Sequence, residues 1–295
     1  MNILLTGVSG FAGSYLAADL LESGNNVIGL DKIDDSDVIK KLLNLKKFRI
    51  IKADLSQKFN GPDNVDAIIH TAAEARPSGV PVAEYIKNNM TAVENLALYA
   101  VEAGVKKIIF FSSISVYGEI ENKVVDEDTP IINPSVYGIS KYIGELLLKD
   151  ISDKIPSIAL RLPGLLGKMA KGPWLAKVLQ KVFKGEDITV YNHSEGFNNA
   201  IHLSDLAAFI QNLLKNDLKG FDVINLACSE VITVEETVKE LIKNAGTSSE
   251  IKNKESENIS FIISTEKAKR VYSFESSPIR SVLERFVIEN KESKI

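Results

Sequence analysis

A short apolar run, Asn2–Thr6, is followed directly by Gly7-Val-Ser-Gly10-Phe-Ala-Gly13, and an amphipathic stretch covers Ala12–Ser23. A strand that turns on glycine straight into a helix aims the helix's free N–H groups and positive dipole end at the turn. Gly7 permits the tight turn, Gly10 lets the backbone approach a pyrophosphate, and Gly13 lets the helix pack closely on the strand. The spacing differs from the commoner Gly-x-Gly-x-x-Gly, but it lies between a strand and a helix, the context that gives such spacing meaning. It predicts a dinucleotide site at the first crossover.

The first two-thirds of the chain repeats this alternation. Apolar runs rich in Ile and Val occur at Asn26–Leu30, Phe48–Lys52, Ala67–His70, Lys107–Ser112 and Ser157–Leu160. They are apolar on both faces, as in strands covered by helices on each side. Helical patterns at Val82–Ala103 and Ser135–Lys149 lie between them, the first stopped by Gly104. This order predicts an α/β chain with a doubly wound parallel sheet and right-handed crossovers. Gly172-Pro173 breaks the pattern. Beyond it come helices at about Trp174–Lys184, Val234–Asn244, Thr265–Val271 and Ile279–Ile288, with strands at Ile188–Tyr191 and Asp222–Leu226. The polar stretch Lys243–Asn258 reads as a solvated loop.

Thirty-five Lys and Arg stand against 39 Asp and Glu, a net charge of -4 with no basic block. That argues against nucleic acid as a partner, since phosphate affinity comes from clustered cations. The single cysteine, Cys228, excludes an internal disulfide or a thiolate metal site, and no His/Asp/Glu spacing suggests a metal. The N-terminus lacks the basic start of a secretory signal, and no run of about 18 apolar residues offers a membrane span. A cytoplasmic protein with no membrane partner is expected. Gly164-Leu-Leu-Gly167-Lys168-Met169 has the wrong spacing for a phosphate-binding P-loop.

Asp31 ends the second strand, 18 positions after Gly13, where a carboxylate accepts hydrogen bonds from the adenosine ribose. The same carboxylate repels a 2′-phosphate, so NAD is expected over NADP, although Lys32 blurs the preference. Asp54-Leu55, just past the third strand, is a further candidate, beside the adenine. Tyr137 and Lys141 sit one helical turn apart on one face. A phenol ionises near pH 10, too high for a base at neutral pH, and a neighbouring ammonium favours the phenolate. Such a pair exchanges a proton beside a hydride carrier, and Lys141 is placed to hold the cofactor's ribose. Ser112-Ser113 closes the strand that begins at Lys107, at the sheet edge where ligands bind.

Together these residues resemble the NAD-dependent epimerase/dehydratase branch of the extended short-chain dehydrogenase/reductase superfamily. The resemblance runs along essentially the whole chain, through Thr6–Gly13, His70-Thr-Ala-Ala73, Asn89–Asn95, Phe111–Gly118, Asn133–Glu145, Leu160–Gly167 and Ala200–Asp205. It implies a Rossmann domain, residues 1–164 plus about 200–227, and a smaller discontinuous C-terminal α/β substrate domain, about 165–199 plus 228–295. It implies Ser113, Tyr137 and Lys141 as catalytic residues. For the cofactor it implies Gly7, Gly10, Phe11, Ala12, Gly13, Asp31, Lys32, Asp54, Leu55, Thr71, Ala72, Ala73, Asn89, Tyr137, Lys141 and Leu162.

A nucleotide sugar is the implied substrate, and a homodimer through the helices at Val82–Ala103 and Ser135–Lys149 the implied assembly. Three positions depart from the family pattern. Gly164 stands where an Asn often holds the substrate diphosphate. Asn199 stands where an Arg often binds the nucleotide phosphate, and it brings no charge to that contact; Arg76, Lys168 or Lys171 are the basic residues available to replace it. Ile114-Ser115 follow Ser113 in place of the Asp-Glu of dehydratases, which argues against water elimination. Ser113, Arg76, Gly164 and Asn199 are therefore the candidate substrate contacts. The expected activity is nucleotide-sugar 4-epimerisation through a keto intermediate. The alternatives are a net ketoreduction or dehydrogenation, or a non-catalytic dinucleotide sensor. His70, His202, Cys228, Glu127 and Trp174 read as packing or scaffold residues.

Overall fold

The computed structural model describes residues 1–76, 79–254 and 260–291. The chain divides into two compact units: residues 1–118, 133–161 and 210–224 form the first, and residues 119–132, 162–209 and 225–295 the second.

The first unit is built on a seven-stranded parallel sheet. Its strands in chain order are β1 (Asn2–Thr6), β2 (Asn26–Asp31), β3 (Phe48–Lys52), β4 (Ala67–His70), β5 (Lys107–Ser113), β6 (Ser157–Leu162) and β7 (Phe221–Asn225). They lie in the order β7-β6-β5-β4-β1-β2-β3. The chain winds outward from β1 through β2 and β3, then returns to β4 on the other side of β1. That reversal opens a crevice at the carboxyl ends of β1 and β4. Register fixes what meets there: Thr6 lies opposite Leu30 and His70, and His70 opposite Phe110. The residues after these positions, Gly7, Thr71 and Phe111, therefore lead into one edge. β4 and β5 are buried at every position, as the double-sided apolar runs require.

Helices α1 (Phe11–Glu22), α2 (Asp37–Leu43), α3 (Ala92–Glu102) and α4 (Val136–Asp150) belong to this unit. Ser36 caps α2 by accepting from the Ile39 N–H. The expected continuous helix over Val82–Ala103 is interrupted. A helical turn, Val82–Tyr85, passes through a wide π-helical segment, Ile86–Thr91, before α3 begins. Such segments insert a residue into the ladder and often mark sites; here the insertion surrounds Asn89.

In the second unit, α7 (Val234–Ala245) follows α5 (Trp174–Lys184) and α6 (Leu203–Lys215), the last of which runs on into the first unit. Thr233 and Glu236 close a reciprocal capping box at the start of α7. α8 (Glu266–Tyr272) and α9 (Ile279–Lys291) complete the helices. Small paired strands tie the unit together. Val124–Val125 pairs with Ile262–Ile263, and residues 119–132 belong to this unit. Ile251–Lys254 pairs in parallel with Ile188–Tyr191, so part of the stretch read as a loop is a strand. Only Ile251 of that strand is partly shielded, and no apolar alternation announced it. Residues 255–258 of the same stretch lie outside the described ones. Among the described residues, no helix is long and apolar enough to cross a membrane.

Candidate active site

Gly7 takes φ +72° at the end of β1, and its N–H donates to the Leu30 carbonyl at 2.9 Å. A Cβ at Gly7 would lie 2.7 Å from Ala72 backbone, and one at Gly13 would lie 2.1 Å from the Gly7 carbonyl oxygen. The first and third glycines thus let loop, β4 edge and helix close on one another. Gly10 is the N-cap of α1; it supplies no side-chain cap, and no acidic residue occupies the first turn. The amino end of α1 is therefore left for an anionic group.

Beside this turn lies a cavity of about 330 Å3, lined among others by Gly7, Gly10, Asp31, Lys32, Asp54, Leu55, Thr71, Ala72 and Ala73. All nine were expected at the cofactor. Asp31 Oδ2 accepts from the Ser9 N–H at 2.9 Å and the Ser9 hydroxyl at 2.6 Å, which fixes the carboxylate at the cavity wall. Lys32 Nζ is tied to Asp54 at 3.1 Å and to Asn88 Oδ1 at 2.6 Å. Burial raises the Asp54 carboxyl, but hydrogen bonds from Ser56 and the Lys32 ammonium outweigh it and hold it below the usual range. The Lys32 charge is thus already matched, and the local field retains the bias of Asp31 against a 2′-phosphate. Ser9, Ser56, Glu74, Asn88 and Ala92 also line the cavity and were not anticipated. Ser9 lies inside the glycine spacing as an unspecified position; the others reach the site only through tertiary packing.

Phe11, Ala12 and Gly13 form the start of α1 and do not line this cavity. Asn89 does not line it either. Its Oδ1 accepts from the Glu74 N–H at 2.7 Å, and its Nδ2 donates to the Glu74 carbonyl at 3.0 Å and to Ser140 Oγ at 2.8 Å. A buried amide with both ends so engaged acts as a clamp between the loop after β4 and helix α4. Leu162 is a buried residue at the end of β6.

The residues expected to be catalytic gather at the end of β5. Ser135 caps α4 by accepting from the Gly138 N–H at 3.2 Å. A Cβ at Gly138 would lie 2.1 Å from the Ser115 carbonyl oxygen, and one at Gly144 would lie 2.7 Å from the Phe110 ring. These two glycines let α4 lie against β5 and the turn that follows it. Tyr137 is thereby brought within hydrogen-bond reach of the Ser113 hydroxyl. Ser113 Oγ accepts from the Ser115 N–H at 3.1 Å, so its own hydrogen is available to the phenol oxygen. Lys141 is buried, with Nζ donating to the Phe111 carbonyl at 2.8 Å and lying 5.1 Å from the centre of the Phe110 ring.

Burial dominates the electrostatics here. It pushes the Lys141 ammonium down to about 7, against the pull of Glu145. It also pushes the Tyr137 phenol up, opposed by the Ser113 hydrogen bond and reinforced by Tyr85. The expected lowering of Tyr137 by Lys141 is not the controlling effect in the protein by itself. Burial of the phenolate sets the direction, and the ammonium is directed to the Phe111 carbonyl. His70, at the end of β4, is wholly buried and held neutral, its pKa pushed down to about 3 by burial and by Lys141. Its Nδ1 shares a 2.7 Å hydrogen bond with Thr6 Oγ1, and its ring stacks on Phe110.

The candidate substrate contacts fall in different places. Arg76 is exposed and forked onto the Glu74 carboxylate, at 2.9 Å from Nε and 2.6 Å from Nη2. Gly164 and Asn199 both belong to the second unit, where Gly164 pairs with Ala200. A Cβ at Gly164 would meet Pro173 at 3.2 Å and the Asn199 carbonyl at 3.5 Å, so a larger residue there would press on Pro173. Asn199 Oδ1 is buried, with no hydrogen-bond partner among the described residues.

In the same unit, His202 lies between Ser204 and Glu289, Trp174 packs on Phe197, and Cys228 is buried with its thiol pushed up. Glu127 accepts from the Asn225 N–H at 2.6 Å, and burial raises its carboxyl. Among the described residues, no group of three or more His, Cys, Asp or Glu could hold a metal ion.

The sequence model of the NAD dependent epimerase/dehydratase family matches residues 3–227. The chain is 30% identical over 284 residues to a UDP-glucose 4-epimerase of Bacillus subtilis, covering 83% of each chain. It is 30% identical over 279 residues to a UDP-glucose 4-epimerase of Neisseria meningitidis, covering 81% of this chain and 80% of the relative. The fold is shared with a Bacillus cereus UDP-glucuronic acid 4-epimerase crystallised with UDP-glucuronic acid and NAD. There the TM-score is 0.83 at 24% identity, over 99% of this chain and 100% of that one. The glycine cradle, the fixed Asp31 carboxylate and the cavity between them suit the cofactor after which that family is named. The chain belongs to the NAD dependent epimerase/dehydratase family and is an NAD-dependent enzyme of the extended short-chain dehydrogenase/reductase type.

Proposed function

We propose that the protein is a nucleotide-sugar 4-epimerase that inverts a carbinol carbon of a UDP-hexose through a transient keto sugar. The observation that carries this reading is the grouping of Ser113, Tyr137 and Lys141 at the end of β5, two strands from the glycine turn of the same unit. UDP-sugar 4-epimerases among the relatives support the substrate class. When bound, NAD supplies a two-electron acceptor and a positive charge.

The chain's own residues handle the proton. Tyr137 Oη takes it from the sugar hydroxyl as the carbon is oxidised and gives it back as the carbonyl is reduced. Ser113 donates to the reacting oxygen or to the phenolate in turn, through the one hydrogen that Ser115 leaves it. Lys141 supplies the charge that stabilises the phenolate, and burial magnifies that effect because little solvent screens it. Gly7, Gly10 and the amino end of α1 bind the pyrophosphate, and Asp31 the adenosine ribose. Phe11, Ala12, Gly13 and Leu162 complete the proposed cofactor contacts; Asn89 holds the loop beside them.

We further assign the protein to the cytoplasm, as a homodimer. Val82, Ile86, Leu98, Ile139 and Leu146 are exposed apolar residues on α3, α4 and the segment leading into α3. A second copy would cover them; Leu98→Glu with Leu146→Glu should yield a monomer by light scattering.

The test of activity is direct. UDP-glucose, UDP-N-acetylglucosamine and UDP-glucuronic acid are each incubated with the protein and NAD, and the products are separated by chromatography. The reading expects a C4 epimer of at least one, with no net NADH. Net NADH in step with an oxidised sugar would make the protein a dehydrogenase instead.

A further inference from the structure

Three consecutive residues of β5 each engage a different residue of α4. Ser113 lies within reach of Tyr137, the Phe111 carbonyl accepts from Lys141 at 2.8 Å, and Ser112 Oγ donates to Glu145 Oε1 at 2.5 Å. Tyr137, Lys141 and Glu145 follow one another at four-residue spacing along one helix face.

Both carboxylate oxygens of Glu145 are engaged in a buried setting. Its side chain is 2% exposed and that of Arg161, on β6, is 6% exposed. Arg161 forks onto it, with Nε donating to Oε1 at 3.0 Å and Nη2 to Oε2 at 2.8 Å. The Arg161 guanidinium in turn lies 4.7 Å from the centre of the buried Tyr117 ring. A buried ion pair adds little net stability over well-packed apolar residues, so its presence here is better accounted for by what it does to its neighbours.

The neighbour is Lys141. Among the described residues the groups with charge or titration around it are few: neutral His70 from β4, Glu145 one turn along its own helix with Arg161 from β6 behind it, and Tyr137 one turn back on the same helix. Its hydrogen-bond partner, the Phe111 carbonyl, is only a dipole. We propose that Glu145, clamped by Ser112 and Arg161, is a positioning residue that keeps the buried Lys141 in its ammonium form for Tyr137. Burial alone drives the Lys141 ammonium toward neutrality, and Glu145 is the group that opposes it. A neutral Lys141 would leave the phenolate without its counter-charge.

This inference rests on the proposed role of Tyr137 and Lys141 in the epimerase reaction, and the test separates the two. The NAD-loaded protein is labelled with 13C,15N-lysine, Lys141 is assigned by comparison with Lys141→Arg, and its titration is followed by NMR in wild type and in Glu145→Gln. The Lys141 midpoint should fall by about one pH unit or more in Glu145→Gln and stay near the wild-type value in Glu145→Asp. With substrate, the alkaline limb of kcat/KM should move down by the same interval. An unchanged midpoint in folded Glu145→Gln overturns the proposal. Should the lone buried Arg161 prevent that variant from folding, Arg161→Met is titrated instead: with the guanidinium gone Glu145 is left to Lys141, whose midpoint should rise, and an unchanged or lower midpoint overturns the proposal. A midpoint that falls as stated in a protein that turns over no UDP-sugar would leave Glu145 its role and refute the nucleotide-sugar reading.

Discussion

The two ends of the site place their charges differently. Around the cavity, Asp31, Lys32 and Asp54 are partly exposed, and each has a partner within reach: Ser9 for Asp31, and an ion pair between the other two. At the end of β5, Lys141 and Glu145 are buried, and their partners come from strands distant in sequence. Water screens the first set, so each of its members adds a modest, separable share of binding. The second set has little solvent to screen it, so a change in one member shifts the protonation of the others. Substitutions around the cavity should therefore cost less than substitutions at the end of β5.

The sharpest way to break this contrast is Tyr137→Phe. Turnover should fall by about 10³-fold while NAD binding, followed by fluorescence or calorimetry, stays close to wild type. Equal losses in both would show that the two ends are not separable. Next comes Gly138→Ala, which places a methyl 2.1 Å from the Ser115 carbonyl oxygen. Pushing α4 off β5 should cost about 1–3 kcal/mol in urea unfolding and lower kcat through the Ser113–Tyr137 contact, with little change in NAD affinity.

His70 gives the contrast a pH dependence. Its pKa is about 3 in the fold and near 6.5 unfolded, so the unfolded chain binds the extra proton between those values and folding is favoured as pH rises. The contribution is complete above pH 6.5 and is lost as pH falls toward 3; between pH 7 and pH 5 it amounts to about 2 kcal/mol. His70→Asn should flatten that part of the stability profile by about this amount, as read from urea midpoints at the two pH values. The smallest effect is expected at the exposed end. Asp31→Asn should weaken NAD by about tenfold and narrow the preference over NADP, leaving kcat at saturating cofactor little changed.

What could be read from the sequence divides along the same line. Gly7, Gly10, Gly13 and Asp31 were legible because a strand, a turn, a helix and the next strand end are local, and their chemistry needs those residue types at those spacings. Tyr137 and Lys141 were legible for the same reason, being one turn apart. The Glu145–Arg161 clamp and the clamp made by Asn89 were not, since each joins elements that meet only in the folded sheet. Gly138 is an unspecified position between Tyr137 and Lys141, yet its missing Cβ lets the helix approach the turn after β5. Residues 119–132 join the second unit through a two-residue pairing with Ile262–Ile263 and the Glu127–Asn225 bond, ties too short to leave a pattern.

The central claim is that the carbinol carbon is oxidised and then reduced again without its hydrogen leaving the protein. A UDP-hexose carrying deuterium at C4 tests it most directly. The account predicts that the epimer formed in ordinary water retains the deuterium at C4, as read by NMR and mass spectrometry. An epimer whose C4 deuterium has been replaced by solvent hydrogen would contradict it.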